Sequence, residues 1–534
     1  MTLLVTDASV AARRIATRGA RAALLAASFA IGVGAVAQAQ DVQRGGTVVL
    51  AEWLAVPSLD PHLSNSIVGS TWSNIFDSLF TYIPPQEDGE GYDIGPGLAT
   101  SFERLSPTEI ELTLREGVTF HDGTPLDAEA VKWNLERARD NEISTRKQTV
   151  ESLTDVTVVD DHTLRLKFSV PQPLFDVLMS PANPANIYFV SPTAVEEMGD
   201  EAFARAPVGS GPFRVVEWVP DDKLELEAVE NHWQTGVDGE PLPYADELVI
   251  RFIPDQTVGA LELRAGTVHV TTLLPQDMAA LRNSPDIGLY RVPLSDKAYP
   301  SFYITSNPDS DSPFAHDVRL RQAVQYAINR EAIAKVVGGE AEPHYYWGWY
   351  PGVPGYDESL PHYEYNPEKA KALLAEAGYA DGIDLEVKVP NRPLDVQPLE
   401  IMQAMLGEVG IRLKISVMDR TPWVDAGRSG NFEALSHGNT ANIDPLMRRQ
   451  TDSESSSNWA RYFKPEVDAL WDEAEMATST AERADIYREM QRIMYEDAFH
   501  IIAYRRPIVL GYSKKLHNIE RSYGQNMRYV WLEQ

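Results

Sequence analysis

No single hydrophobic core serves a chain of 534 residues. A chain of this length divides into two or more lobes, and two lobes leave a cleft between them. Residue patterning shows what the lobes are built from. Gly45–Leu50 reads as a buried first strand, turned at Ala55–His62 through Pro57 and Pro61. Ile110, Leu112 and Leu114 alternate with polar residues, as do Val156 and Val158 and then Leu164, Leu166 and Phe168. The last two sets flank Asp160-Asp161-His162, a hairpin turn, and Ala128–Arg139 is a helix of the same lobe. Alternation resumes over Leu224–Pro254 and returns the chain to the first sheet.

From Asp317, an N-cap by residue type, the period becomes helical, with Leu320, Val324, Ala327 and Ile328 on one face. Gly338-Gly339 stops the next helix. Asn366 caps another, with Pro367 at its first position, Leu373 and Leu374 inward and Gly378 at its end. Ser479 and Glu482 have capping-box spacing ahead of Ile486, Met490 and Ile493, and Ile501–Leu510 reads as a strand returning to the first lobe. The fold class is therefore mixed α/β, with lobes assembled from discontinuous segments.

The first 39 residues read as an export signal. Arg13, Arg14, Arg18 and Arg21 precede an apolar stretch, Ala22–Val36, and Ala37-Gln38-Ala39 places cleavage before Gln40. The general secretory route is expected, with twin-arginine export as the alternative. Of 534 residues 495 remain, and no later run nears the roughly 18 apolar residues that span a membrane. The sequence has no cysteine, which excludes disulfides, thiolate chemistry and a lipid anchor at the cleavage site. A free periplasmic protein is expected. Loss of four arginines and Asp7 with the signal takes the formal charge from −31 to −34, which opposes binding to nucleic acid or an anionic membrane.

Three passages carry a resemblance. They are Leu114–Val131, containing Arg115-Glu116-Gly117-Val118-Thr119-Phe120-His121-Asp122-Gly123-Thr124-Pro125; Pro207-Val208-Gly209-Ser210-Gly211-Pro212-Phe213; and Pro313-Phe314 with Asp317–Ala323 and Tyr326–Arg330. Weaker matches are Leu59–His62, Ile75–Leu79, Ala375–Tyr379, Trp459–Tyr462 and Pro465–Leu470. In this order they resemble the family 5 extracellular solute-binding proteins, which include dipeptide, oligopeptide, nickel, glutathione and opine binders. Much of this has a structural reading as well. Asp122-Gly123 supplies a turn, and Pro207–Pro212 needs glycine freedom where lobes cross. His121 beside Asp122 is read as a turn histidine, since no other metal ligand stands at useful spacing.

The resemblance implies a periplasmic-binding-protein fold of class C type, with two large lobes, an inserted domain and a ligand cleft between lobes I and III. Residues 1–39 are the signal; 40–72, 205–300 and 504–534 form domain I; 73–204 form domain II; and 301–503 form domain III. Lobes I and III close about strands near Phe302–Asn307 and Ile501–Leu510, reporting occupancy to the permease of an ABC importer. The protein is expected to be a monomer without cofactor, bound metal or catalytic residue.

A ligand enclosed between lobes needs aromatic planes and a few polar groups. The run His344–Pro351 is dense in aromatics, and Trp347 and Trp349 are candidates for pocket lining, the alternative being a core between lobes. Trp423 follows Arg420-Thr421-Pro422, where the family presents a helix start near the cleft, and Trp459 opens the late motif. Peptide binders of the family carry an aspartate for the peptide ammonium within the region that here reads Phe432–Pro445. Alignment on Asp444-Pro445 puts Ala441 at that position, and alignment on Phe432 puts Asn442 there. Neither forms the ion pair, and an unpaired ammonium in a closed cleft is costly.

Asn439 joins the candidate ligand residues, as does His437, near where nickel-binding relatives carry a metal-completing histidine; the alternative is a hydrogen-bonding or surface imidazole. Arg392 is a candidate clamp for a ligand carboxylate, with an ordinary surface arginine as the alternative, and Arg448-Arg449 is a second candidate clamp. The expected ligand is a small zwitterionic or carboxylated amino-acid derivative or modified short peptide, with a nickel chelate or oligosaccharide as alternatives. A secreted hydrolase is the rival class, but Gly-x-Ser-x-Gly, His-Glu-x-x-His and the Walker phosphate loop are absent. A sensor or chaperone using the same closure is the third.

Overall fold

Val48 and Leu50, inward by alternation, are both buried on the strand Thr47–Glu52. The computed structural model describes residues 42–64, 69–83, 93–183, 185–293, 297–351, 353–436, 439–440, 450–455, 458–523 and 526–534. In it Thr47–Glu52 pairs in parallel with Glu247–Phe252 on one side and Val270–Thr272 on the other. These belong to a seven-stranded sheet ordered Ile287–Arg291, Val509–Ser513, Val270–Thr272, Thr47–Glu52, Glu247–Phe252, Lys223–Ala228, Phe213–Val219. Leu224, Leu226, Leu248 and Ile250 share one apolar core with Trp72 and Ile75 of the helix Gly69–Ile75.

A second seven-stranded sheet runs Glu342–Pro343, His500–Arg506, Lys297–Ile304, Ala434–Ser436, Ile383–Pro390, Ile411–Met418, and Asn439–Thr440 pairs with the start of Lys297–Ile304. Phe302, Ile304, Val387 and Leu413 pack there with Leu320 and Val324 of the helix Val318–Tyr326, Leu374 of Pro367–Glu376, and Leu399 and Met402 of Pro393–Glu408. Side chains end these helices as local chemistry requires. Asp317 accepts from the Arg319 N–H at 2.9 Å, and Asn366 accepts from Lys369 at 3.0 Å. Ala327 and Ile328 are buried as expected but lie past the helix end, because Asn329 leaves helical geometry to cap Arg330–Val337. Ser479 caps the helix Thr480–Asp497 through Glu482 N–H at 3.2 Å, while the Glu482 carboxylate reaches back to Thr478 rather than to the cap itself.

Inserted in sequence between Thr47–Glu52 and Phe213–Val219 of the first sheet is a four-stranded antiparallel sheet, Ala99–Ser106, Glu109–Leu114, Thr163–Phe168, Leu153–Asp160. Asp161-His162 is the tip of its last hairpin, with the His162 N–H held by Asp160 at 2.9 Å. The helix Ala128–Asp140 lays Val131, Leu135 and Ala138 onto this sheet. The run Pro207–Phe213 passes directly over Ile75. A Cβ on Gly211 would lie 2.5 Å from the Ile75 carbonyl carbon, and Gly211 N–H donates to the Ile75 oxygen at 2.9 Å. Only glycine permits that approach.

The chain passes between the two large sheets twice, outward after Arg291 and back between Arg506 and Val509. The passages lie side by side, since Val292 N–H donates to the Ile508 carbonyl at 3.0 Å and Lys297 pairs with Arg506. The apolar stretch Ile501–Leu510, expected as one returning strand, is therefore two strands in two sheets. Pro507, which has no N–H to offer a ladder, separates them.

Candidate functional site

Strand direction locates the site. In the first sheet Thr47–Glu52, Glu247–Phe252 and Val270–Thr272 are parallel, and Val270–Thr272 runs antiparallel to Val509–Ser513, the strand that begins at the return passage. Their carboxyl ends therefore lie at the passages. In the second sheet Lys297–Ile304 begins at the passages and Ala434–Ser436 is antiparallel to it. Ile383–Pro390 is parallel to Ala434–Ser436 and to Ile411–Met418, so all three also end toward the passages. Each sheet thus turns its carboxyl edge toward the other. Ligands of open α/β sheets bind in the crevice outside such edges, where loops diverge and backbone N–H groups are free.

Three separate strand ends of the second sheet meet that edge. Arg392 follows Ile383–Pro390, Trp423 lies on the helix Arg420–Ser429 after Ile411–Met418, and Ser436, which ends the third strand, accepts from the Trp423 side chain. Arg392 is half exposed, and its Nε–H donates to Asp395, which is buried in the first turn of the helix Pro393–Glu408. Burial pushes the Asp395 carboxyl up, and the Arg392 guanidinium opposes that shift. The Arg392 Nη groups make no hydrogen bond among the described residues, so the fork is held by one edge and presents the other outward.

Trp423 donates its indole N–H to the Ser436 carbonyl at 3.0 Å, and its ring meets Trp459 edge-to-face at 5.5 Å. Phe432 and Leu435 pack beside the pair. The two tryptophans therefore stand against the point where the chain leaves Ser436 toward Ala441 and Asn442 in the sequence. Asn439 follows in register with Ala298, next to the passages. His437, Ala441, Asn442 and Arg448-Arg449 lie outside the described residues.

Trp347 and Trp349 are packed elsewhere. Both are buried in an aromatic cluster with Tyr303, Phe499, Trp471 and Tyr487, on the sheet face opposite Phe302. Trp347 contacts Tyr303 at 6.4 Å and Phe499 at 6.0 Å, and both tryptophans line a small pocket with Gln325, Gln491 and His500. His121, read as a turn histidine, holds the glycine run to the inserted sheet through its Nε2 and the Gly211 carbonyl at 2.9 Å. No group of three metal-ligating side chains occurs among the described residues, and no described helix is long and apolar enough to cross a membrane.

Two residues at the edges escaped the sequence reading. Trp53, just past the first strand, is 36 % exposed at the carboxyl edge of the first sheet. Asp395, the partner that orients Arg392, is the other. The signal for Trp53 was its position after a buried strand, and for Asp395 its three-residue spacing from Arg392.

The comparisons with known proteins agree with this architecture. The periplasmic binding protein DppA from Helicobacter pylori, in complex with the peptide STSA, has a TM-score of 0.76 at 23 % identity, covering 92 % of this chain and 99 % of that one. NikZ from Campylobacter jejuni, in complex with Ni(L-His), has a TM-score of 0.74 at 21 % identity over 89 % of this chain and 95 % of its own. Among curated proteins, the glutathione-binding protein GsiB of Pectobacterium atrosepticum is 28 % identical, covering 91 % of this chain and 94 % of that protein. The model of the bacterial extracellular solute-binding proteins, family 5, middle region, matches residues 93–459. That span is well over half of the chain, and the protein belongs to this family of solute-binding proteins, the substrate-binding components of ABC importers.

Proposed function

We propose that the crevice between the facing carboxyl edges captures a small carboxylated, peptide-like solute of about the size of glutathione and presents it to the importer's permease. The observation that carries this reading is Arg392, whose fork is held on one edge by Asp395 and open on the other at the carboxyl edge of the second sheet. The absence of an acid at Ala441 and Asn442 supports it. In a γ-linked peptide such as glutathione the ammonium stands beside its own carboxylate, so the zwitterion needs no protein carboxylate of the kind an ordinary peptide N-terminus requires.

The first and second seven-stranded sheets correspond in this reading to domains I and III, and the four-stranded sheet to domain II. Closure bends the paired passages at 292–293 and 507–508. The Arg-rich leader and the family support export to the periplasm, and the protein works as a monomeric binder rather than an enzyme.

The test is calorimetry of the purified protein with glutathione, a dipeptide, mannopinic acid and a nickel–histidine complex, preceded by native mass spectrometry to identify any co-purified solute. A carboxylated derivative such as glutathione is expected to bind, and Arg392→Gln to weaken it by about 10-fold or more, the worth of a hydrogen bond to a charged group. Tight binding of an ordinary dipeptide through its free N-terminus sinks the reading.

A further inference from the structure

Five arginines of the described chain are buried: Arg146, Arg321, Arg330, Arg506 and Arg528. Four are answered by the protein. Arg146 donates to the Pro61 carbonyl at 2.7 Å, Arg321 to Phe314 and Asp497 carbonyls at 2.8 Å each, Arg330 to the Ile502 carbonyl at 2.8 Å, and Arg528 to the Asp77 carboxylate at 2.9 Å. Arg506 is the exception. It is 8 % exposed, its Nε has no hydrogen-bond partner, and among the described residues it forms no ion pair. Its neighbour is the Tyr299 ring, 5.3 Å from the guanidinium carbon, and Tyr299 in turn stacks on Tyr504 at 6.0 Å.

Position makes the missing partner informative. Arg506 is the last residue of its strand before the return passage, and it pairs with Lys297, whose other neighbour is Thr440. Two strand spacings, about 10 Å, separate it from the backbone of Asn439-Thr440, beside the passage where peptide binders of the family hold a ligand's charged end. A buried donor left without a partner, as the Arg506 Nε is, costs about 1–3 kcal/mol, and stacking on a tyrosine offsets about 0.5–2 kcal/mol. A carboxylate accepting two parallel N–H bonds is the partner that fits a planar fork.

We propose that Arg506 is a second anion anchor of the ligand crevice, set on the hinge strand, and that the solute carries a carboxylate for it in addition to the one at Arg392. This rests on the reading of the crevice as the ligand site and narrows the ligand class to dicarboxylates, of which glutathione is one. Because the anchor adjoins the passage that bends on closure, ligand pairing there ties occupancy to the closed state.

The test uses the full protein as wild type, Arg506→Met and Arg506→Lys. Thermal melting in succinate, with succinamide as the uncharged control, probes the anchor without assuming the natural solute. Succinate is expected to raise the wild-type midpoint and succinamide to leave it; R506M loses the rise and R506K keeps most of it. A rise that survives in R506M, or no rise in wild type, overturns the proposal. So does a fall of several degrees in ligand-free R506M, which would make Arg506 a structural cation. Calorimetry with glutathione separates the two readings: R506M is expected to weaken it by about 30- to 100-fold, the cost of truncating one partner of a buried charge pair. Equal affinity in wild type and R506M removes the anchor and keeps the proposed ligand. Failure of wild type to bind glutathione, with the succinate effect intact, removes the proposed ligand and keeps the anchor.

Discussion

Gly427 offers a way to move a site tryptophan from behind, without touching the surface a ligand would meet. It lies inside the helix Arg420–Ser429, and a Cβ there would sit 2.7 Å from Cδ2 of Trp459. Carbon atoms settle at about 3.5–4.0 Å, so Gly427→Ala drives the ring back by about 1 Å. Alanine favours the helix by about 1 kcal/mol over glycine, and overpacking costs roughly 1–3 kcal/mol, so the net loss of stability is expected to lie between roughly zero and 2 kcal/mol. The edge-to-face contact with Trp423, now at 5.5 Å, is lost or deformed. An aromatic pair is worth about 0.5–1.5 kcal/mol beyond its buried area. If a ligand rests on the pair, affinity falls by about 2- to 12-fold. Calorimetry with whichever solute binds wild type gives the affinity, and tryptophan emission reports whether the ring has moved. A shifted emission spectrum with unchanged affinity refutes the placement of Trp459 in the ligand wall.

Three further outcomes are expected. Asp77→Asn should cost roughly 3–5 kcal/mol in urea unfolding, because Asp77 is buried with Arg528 at 2.9 Å and Trp233 Nε1 at 2.8 Å; adding Arg528→Met should recover most of the loss, and no recovery would mean that geometry rather than the stranded charge sets the cost. Stability should fall on acidification from about pH 6.5 to 4: burial holds His62 down to about 4, so in this window the unfolded chain binds a proton that the folded one refuses, a loss on the order of 3 kcal/mol. A flat urea midpoint across that window would contradict it. Gly211→Ala should prevent soluble accumulation or sharply destabilise the protein, since the clash is with Ile75 backbone that cannot rotate away; a thermal midpoint within a degree of wild type would contradict the close crossing.

Much of the local structure was legible in the residues. The alternation at Ile110–Leu114 and Leu164–Phe168, the caps at Asp317 and Asn366, and the glycine run over Ile75 each depend on neighbours a few positions away, so periodicity and turn chemistry reveal them. The aromatic run at His344–Pro351 was not decidable in that way. A pocket wall and a core both use aromatic area, and only packing against Tyr303 and Phe499 put Trp347 and Trp349 in a buried cluster.

Sequence alone determined the family resemblance and the α/β order, because these are local patterns or ordered motifs. Tertiary structure decided which of the candidate residues share an edge. Arg392, Trp423 and Ser436 come together only because three strands distant in the chain lie parallel and end on one edge, and that pairing is non-local. Arg505 and Arg506 are adjacent and chemically identical. One reaches Glu342 near the surface, the other is buried against Tyr299 with no ion pair among the described residues, and the alternation of side chains across the final strand of the second sheet is the physical reason.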